Sequence, residues 1–154
     1  IHHRSEKSAR DSASIKECVV EVVKDFGLTS DIIMLYLVYP ERRWEDVISS
    51  YKWFKEQGAS SLLCREEPAT HPYLCLEDTG DNKGRQLTPH NYYRRQDYPQ
   101  VFKICHMVSI FKAEELEKLN DNLYNENTDF YKIPQIIDVD TFDDLEKYRN
   151  KYGS

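Results

Sequence analysis

The stretch that decides the fold reads Ile32-Ile33-Met34-Leu35-Tyr36-Leu37-Val38-Tyr39, and Pro40 ends it. A nearly continuous apolar run of this length is typical of a strand that is covered on both faces, as in parallel sheets. An amphipathic helix follows from Trp44 to Phe54, Gly58 ends it, and a second apolar run occupies residues 60–64. Strand, helix, strand is the order of a right-handed crossover between parallel strands. This unit therefore predicts an α/β fold.

Two further helices flank this unit, and each has its own start signal. Upstream, Ser12 or Ser14 can cap a helix whose apolar residues recur at three and four residues as far as Phe26. Near the C-terminus, Thr141 and Asp144 have the spacing of a capping box, which predicts a terminal helix.

The remaining segments predict more strands and an irregular excursion. We expect strands over residues 101–111 and 131–139, with a short helix over 113–119. Between residues 66 and 91 prolines punctuate the chain, and the polar segment 78–84 is typical of a turn between short extended pieces. This part predicts an antiparallel excursion from the sheet.

Length, charge and hydropathy exclude several classes of protein. The chain has 154 residues, which suits one domain rather than two. A net charge of −6, with no basic run longer than two residues, argues against nucleic acid as a partner. The longest apolar run is far below the roughly 18 residues that a membrane span needs. The four cysteines show no metal-ligand or disulfide spacing, so we expect a cytoplasmic protein with reduced thiols.

The most informative polar residues are Asp138 and Asp140, which follow the last predicted strand. In a strand, residues two apart share a face, so both carboxylates would point the same way. Ligands of open α/β sheets bind beyond the carboxyl ends of the strands, and Mg²⁺ commonly takes one or two protein carboxylates. The pair therefore suggests a Mg²⁺ site. Alternatively, Asp140 caps the terminal helix or its loop, and Asp138 is an exposed strand end.

Several further segments lie in a particular order along the chain. They are Arg4 with residues 11–14, then 40–42, 45–47, Arg-Gln-Asp-Tyr-Pro-Gln-Val-Phe at 95–102, Asp-Val-Asp-Thr at 138–141, and 143–145. Together they resemble the acylneuraminate cytidylyltransferase family over most of the chain. The resemblance implies a Rossmann-like nucleotidyltransferase sheet with an inserted antiparallel dimerisation arm. It also implies an enzyme that joins CTP and an acidic sugar into a CMP-sugar and releases pyrophosphate.

The resemblance also implies roles for individual residues. Asp138 and Asp140 match the metal carboxylates of the family, with Mg²⁺ as the cofactor. Arg95 and Gln96 match a motif close to the acidic sugar, where a guanidinium suits a carboxylate. The other matched residues are Arg42 after the strand-ending proline, expected to bind substrate, and Arg4, Asp11 and Ser14, expected near the nucleotide. For each arginine the alternative is a solvated surface side chain. No residue is identified as the general base.

The resemblance divides the chain into one partial domain over residues 1–154 and an arm over residues 66–98. In the family this arm pairs two subunits, so we expect a homodimer. The alternative is that the same segment is only a surface hairpin.

The family begins with a strand and a Gly-, Lys- and Arg-containing loop that cradles the triphosphate, and this sequence supplies no such segment. Because the chain also starts at Ile1 instead of Met, we expect a fragment. Two alternatives remain: an inactive truncated homologue that acts as a binding or assembly module, and a related nucleotidyltransferase for another nucleotide or sugar. Tyr36, Tyr39 and Cys105-His106-Met107 depart from the family pattern. They leave sialic acid and related nonulosonic or octulosonic acids open as the sugar.

Overall fold

The computed structural model describes residues 2–10 and 12–153. Within these ranges the helices are α1 (Ile15–Asp25), α2 (Trp44–Gln57) and α3 (Phe142–Tyr152). The strands are β1 (Asp31–Met34), β2 (Ser61–Glu66), β3 (Leu76–Gly80), β4 (Lys83–Gln86), β5 (Lys103–Lys112) and β6 (Asp129–Lys132). Short 3₁₀ segments occupy Pro72–Leu74, Arg95–Asp97 and Ala113–Lys118. The expected helix after β5 is therefore a 3₁₀ segment.

Four strands form the main sheet in the order β1-β5-β2-β6. The central strand β5 is antiparallel to both β1 and β2, whereas β6 is parallel to β2. It follows that β1, β2 and β6 all run in one direction, and α2 connects two parallel strands between which β5 lies. The sheet is thus mixed and its pairings are mostly antiparallel, which corrects the expectation of a parallel sheet around the run at 32–39.

A helix covers each face of this sheet. Ile110 packs into a core with Val47 and Phe54 of α2. The next residue, Phe111, packs into a second core with apolar residues of α1 and with Leu116. Because successive residues of a strand point to opposite faces, the two cores lie on opposite sides of β5. The prediction of cover on both faces was made for the run at 32–39 and is wrong there, because β1 is an edge strand and Ile33 is 39% exposed. The strand with a core on each face is β5.

Two predicted strands are much shorter than expected. The apolar run at 32–39 is a strand only as far as Met34, and the run expected at 131–139 ends as a strand at Lys132. Pro134 lies just after β6, and proline has no N–H for a sheet ladder. The two irregular segments that replace the missing strand ends meet each other, since the N–H of Val139 donates to the carbonyl of Val38 at 2.9 Å.

A bulge divides β5. Leu63 of β2 pairs with Ser109, but the next residue, Cys64, pairs with Cys105, which leaves residues 106–108 without partners on β2. The insertion changes which residues face α2, so that Cys105 before it and Ile110 after it share one core. Bulges of this kind re-aim side chains and are common beside functional sites.

The helix boundaries follow the signals in the sequence. Ser14 caps α1 and Thr141 caps α3, each in a capping box with the acidic residue three positions on. Gly58 ends α2 with a left-handed φ of 66°, which is unfavourable for other residues. Among the described residues, no helix has the length and apolar character to cross a membrane.

The predicted excursion is a two-stranded antiparallel hairpin, β3–β4, which is separate from the main sheet. Asp81 and Asn82 form its turn with φ values of 53° and 59°, as a type I′ hairpin turn requires. Every residue of both strands is exposed. The hairpin is therefore on the surface, within the segment 66–98 that was expected to form the arm, and its role as a dimerisation arm stays a prediction.

The packing of α2 gives a direct test of the fold. Phe54→Ala removes a core side chain that is 1% exposed, and we expect the free energy of unfolding to fall by about 3–5 kcal/mol. Trp44→Ala, in the same helix, removes an aromatic ring that is 66% exposed, and a change within about 0.5 kcal/mol is expected. Urea unfolding followed by circular dichroism measures both. Equal losses would contradict this orientation of α2.

Candidate functional site

Polar side chains lie together at one edge of the sheet, which here means the end of the strands and not an outer strand. The carboxyl ends of the parallel strands β1, β2 and β6 lie there, together with the amino end of β5. In open α/β sheets this is the edge at which ligands bind. The irregular segments 35–40 and 133–140 also follow strands that end at this edge.

Glu66, the last residue of β2, is the anchor of the edge. Its side chain is 3% exposed and accepts from Lys103 Nζ at 2.9 Å. Its other carboxylate oxygen accepts from the backbone N–H of Ile136 at 3.3 Å. The hydrogen bond to Glu66 is the main reason that the pKa of Lys103 is raised. This buried carboxylate is thus paired and hydrogen-bonded, as a buried charge requires, and it fixes the segment that leads to Asp138.

Asp138 belongs to a hydrogen-bonded group with Tyr39 and His106. Tyr39 Oη donates to Asp138 Oδ2 at 3.2 Å and accepts from the backbone N–H of His106 at 3.3 Å. Burial strongly raises the pKa of Tyr39, so this hydroxyl remains a donor. The group joins segment 35–40, the bulge of β5 and segment 133–140.

Two buried polar atoms of this group have no hydrogen-bond partner within the described part of the chain, Asp138 Oδ1 and His106 Nδ1. Burial raises the pKa of Asp138, and the nearby Asp140 carboxylate raises it further. Burial also lowers the pKa of His106, whose ring packs against Tyr36 with centroids 5.2 Å apart. An orphaned carboxylate oxygen beside a second carboxylate is a costly arrangement.

A divalent cation fits these residues. It would satisfy the orphaned oxygen of Asp138 and offset the repulsion between Asp138 and Asp140. The expected reason for their proximity was wrong, because both residues lie in an irregular segment and not in a strand. Among residues 2–10 and 12–153, the one group of three possible metal ligands within 4.8 Å is His2, Glu21 and Asp25. A two-carboxylate site is still sufficient for Mg²⁺, which commonly keeps several waters.

A cavity of about 650 Å³ opens at the same edge, beyond the ends of β2 and β6. Its lining includes three basic side chains, two acidic ones and several rings: Arg65, Arg95, Lys132, Glu66, Glu67, His71, Tyr98 and Phe102. The guanidinium of Arg65 lies 5.1 Å from the ring centroid of Phe102. Lys132 pairs with exposed Glu67 at 3.0 Å.

The structure brings together only some of the residues singled out in the sequence. Arg95 lines the cavity, while Gln96, its neighbour in the same 3₁₀ segment, is exposed and not part of the lining. Arg42 lies at the sheet edge, where its Nη1 donates to the carbonyls of Tyr36 at 2.7 Å and Met107 at 2.9 Å. In this conformation Arg42 braces segment 35–40 against the bulge, and its role towards a substrate stays a prediction.

The three residues expected near the nucleotide are less informative. Ser14 caps α1, with its side chain accepting from the N–H of Glu17 at 3.2 Å. Arg4 contacts α1 through the sulfur of Cys18 at 3.5 Å. Asp11 lies outside the described residues. Neither Arg4 nor Ser14 lines the cavity, and their assignment to a nucleotide stays a prediction.

Arg65, Glu66, Lys103 and His106 were missed as site residues. The sequence does hold a signal for three of them: Arg65 and Glu66 end the apolar run of β2, and Lys103 begins β5. Charged residues at the ends of apolar strands mark the edge of a sheet. Nothing in the sequence reveals the bulge that holds His106 beside Asp138, because it arises from a register shift between distant strands.

The fold is similar to that of a solved synthetase structure. The chain is similar to the structure of CMP:2-keto-3-deoxy-manno-octonic acid synthetase complexed with CTP, with a TM-score of 0.62 and 15% sequence identity. The match covers 92% of this chain and 69% of that one. No protein-family model matches the sequence, and the comparison with curated proteins finds no relative. At this identity the likeness shows the fold alone, and the activity has to be argued from the site.

The geometry around Asp138 predicts opposite effects of two substitutions on its pKa in chelator-treated protein. Asp140→Asn removes a neighbouring negative charge and should lower the pKa of Asp138. Tyr39→Phe removes a hydrogen bond to the charged form and should raise it. Carbon-13 NMR titration of the Asp138 carboxyl carbon measures both shifts. An Asp138 pKa unchanged by Asp140→Asn would show that the two carboxylates do not interact.

Proposed function

We propose that this chain belongs to a nucleotidyltransferase that forms a CMP-sugar from CTP and an acidic sugar and releases pyrophosphate. The observation that carries this proposal is that an acidic pair and a cavity with two guanidinium groups in its lining lie at the same sheet edge, linked by the Lys103–Glu66 ion pair. The pair suits a divalent cation, and the cavity suits the anionic group of a sugar acid. The solved structure that is similar in fold is a CMP-sugar synthetase complexed with CTP.

The reaction requires that the two substrates are positioned and that the charge on the phosphates is neutralised. The anomeric hydroxyl oxygen of the sugar forms a bond to the α-phosphorus of CTP and gives up its proton to water. The bond from the α-phosphorus to the oxygen that bridges it to the β-phosphate breaks, and pyrophosphate leaves with that oxygen and its charge. Asp138 and Asp140 would hold Mg²⁺, which offsets the charge on the phosphates when it is bound. Arg95 would hold the sugar carboxylate, with Gln96 and Arg42 as further candidates for contact with the sugar. Holding both substrates in line accounts for much of the acceleration in such reactions.

This chain's own residues prepare the edge for these roles. Tyr39, which stays protonated, orients one oxygen of Asp138 and leaves the other oxygen free for a cation. Lys103, held by Glu66, adds a positive charge close to Asp138. Tyr36 and the ring of His106 pack against each other, with centroids 5.2 Å apart. Neither residue lines the cavity, and the sugar stays unassigned.

A second candidate function is a non-catalytic binding or assembly protein. In the described residues each glycine either follows a helix or lies in the β3–β4 hairpin, so none of them forms a cradle for the triphosphate. A chain that kept the arm and the anion cavity would bind an acidic sugar without transferring a nucleotide. A related nucleotidyltransferase with another nucleotide is separated from both by comparing CTP with UTP, ATP and GTP.

The first test is pyrophosphate release by the protein expressed from its complete reading frame. We expect release from CTP that requires both Mg²⁺ and an acidic sugar, offered as a panel of sialic, other nonulosonic and octulosonic acids. Asp138→Asn should lower the rate by about 100-fold, because it removes charge stabilisation at the reacting phosphate. Asp121→Asn, an exposed loop carboxylate, is the control and should leave the rate unchanged. If the folded protein releases no pyrophosphate with any acidic sugar of the panel, the proposed reaction is refuted.

We further propose that the arm pairs two copies of the chain. Its support is the apolar surface that the arm segment exposes, including Leu87 at 62% and Tyr93 at 95%. We expect light scattering after size exclusion to give a dimer, and Leu87→Ser combined with Tyr93→Ser to give a monomer. Leu37→Ser removes an equally exposed apolar side chain outside the arm and should leave the dimer intact. A monomeric parent protein at high concentration would rule out this pairing.

A further inference from the structure

We propose that Arg65 forms an anion clamp with Arg95 in the cavity and thereby selects an acceptor with a carboxylate or phosphate group. The inference rests on the proposed function, since it names a residue that would select a sugar acceptor with an acidic group. No part of the family resemblance includes Arg65, and the sequence motif that singles out Arg95 begins thirty positions later.

The position of Arg65 argues against an ordinary solvated surface side chain. It is the next-to-last residue of β2, only half-exposed, and hydrogen bonds join the strand to β5 on one side and β6 on the other. Its guanidinium lies over Phe102, whose ring packs in turn on Phe130 at 4.9 Å. Its Nε is buried and, in the part of the chain that the structure describes, has no hydrogen-bond partner. A half-buried guanidinium of this kind is costly unless it finds an acceptor.

The charges around Arg65 are matched, while Arg65 itself is not. Lys103 pairs with Glu66 at 2.9 Å and Lys132 with Glu67 at 3.0 Å. Within residues 2–10 and 12–153, neither Arg65 nor Arg95 forms an ion pair with a carboxylate. The cavity therefore holds two guanidinium groups without a counter-charge.

A second cavity, of about 570 Å³, shows that this imbalance is particular to the first. Its lining also contains basic residues, but Lys151 pairs with Glu41 at 3.0 Å and Arg43 with Asp46 at 3.4 Å. Its charges are satisfied within the protein. The first cavity thus has the electrostatic character of an anion site, and the second does not.

The chemistry of the clamp limits what it can hold. Guanidinium groups bind carboxylate and phosphate through two parallel N–H bonds, which gives direction as well as strength. The stacked ring of Phe102 limits the orientations of the Arg65 guanidinium and so lowers the entropy that binding costs. A volume of about 650 Å³ is in the usual range for small-molecule sites. The cavity therefore suits a small acid such as a sugar acid.

The experiment compares direct binding of defined probes to the whole protein by NMR titration. The probes are 2-keto-3-deoxy-manno-octonate and N-acetylneuraminate as carboxylates, inorganic phosphate and CTP as phosphates, and mannose as a neutral sugar. The variants are Arg65→Gln and Arg65→Lys, with Arg43→Gln as the matched control from the second cavity. Urea unfolding midpoints confirm that each variant is folded.

We expect Arg65→Gln to weaken at least one carboxylate or phosphate probe by about 10- to 100-fold, as loss of a charged hydrogen bond implies. Arg65→Lys should recover part of this loss, and Arg43→Gln should change affinity less than twofold. A loss confined to the sugar acids assigns the clamp to the acceptor carboxylate, and a loss confined to phosphate and CTP assigns it to a phosphate. Unchanged affinity of Arg65→Gln for every probe overturns the proposal, and so does preferential binding of mannose.

A measurement on the parent protein tests the clamp even if a variant fails to fold. Ring proton signals of Phe102 should shift when an acidic probe binds the parent protein and should not shift with mannose. No shift with any acid overturns the clamp. This outcome is distinct from failure of the proposed reaction, because a protein that releases no pyrophosphate can still bind an acid through Arg65. Conversely, a functional synthetase can bind its sugar without Arg65.

Discussion

One buried carboxylate, Glu66, holds the site together. It ends β2, pairs with the first residue of β5 and accepts a hydrogen bond from the backbone of Ile136. Together with the hydrogen bonds Val139–Val38 and Tyr39–Asp138, it fixes segment 133–140 after β6 ends. Loss of the carboxylate would leave Lys103 beside Asp138 without its partner. Because a buried charge without a partner is costly, Glu66, Lys103 and segment 133–140 keep their arrangement only together.

The edge that Glu66 organises has two electrostatic sides. On one side, Asp138 carries a buried oxygen without a partner and feels the repulsion of Asp140. On the other side, Arg65 and Arg95 line a cavity that contains no carboxylate paired with either of them in the described residues. Each side is unfavourable alone, and a cation bound on the first and an anion on the second would relieve both. A metal–nucleotide complex and a sugar acid are ligands of these charges, which is why the proposed reaction suits this edge.

Local signals in the sequence predicted the helices well. Ser14, Gly58 and Thr141 act through neighbours within a few residues, so capping rules apply to them directly. The strands were harder to predict. The run at 32–39 is apolar enough for a full strand, but Leu35, Tyr36 and Val38 pack against the core from an irregular segment instead. Apolar periodicity reports burial and cannot tell whether the buried backbone stays extended.

The site shows the same division. Asp138 and Asp140 were singled out from a strand spacing that the structure does not contain. Their segment is held at the sheet edge by the Tyr39 hydroxyl, which donates to Asp138, and by the Val38 carbonyl, which accepts from Val139. Arg65, Lys103 and His106 could not be recognised from spacing, because their proximity depends on strand register and on the β5 bulge. Long-range pairing thus decided the site, whereas local chemistry decided the helices.

The most direct measurement of the central claim is paramagnetic broadening by Mn²⁺, which can replace Mg²⁺ at oxygen ligands. The claim is that metal and acidic sugar share one edge of the sheet. It predicts that Mn²⁺ selectively broadens the NMR signals around Asp138 and Asp140, and that the signals of a bound acidic sugar broaden with them. Broadening confined to the other cluster of possible ligands, His2, Glu21 and Asp25, with a bound sugar left sharp, would contradict it.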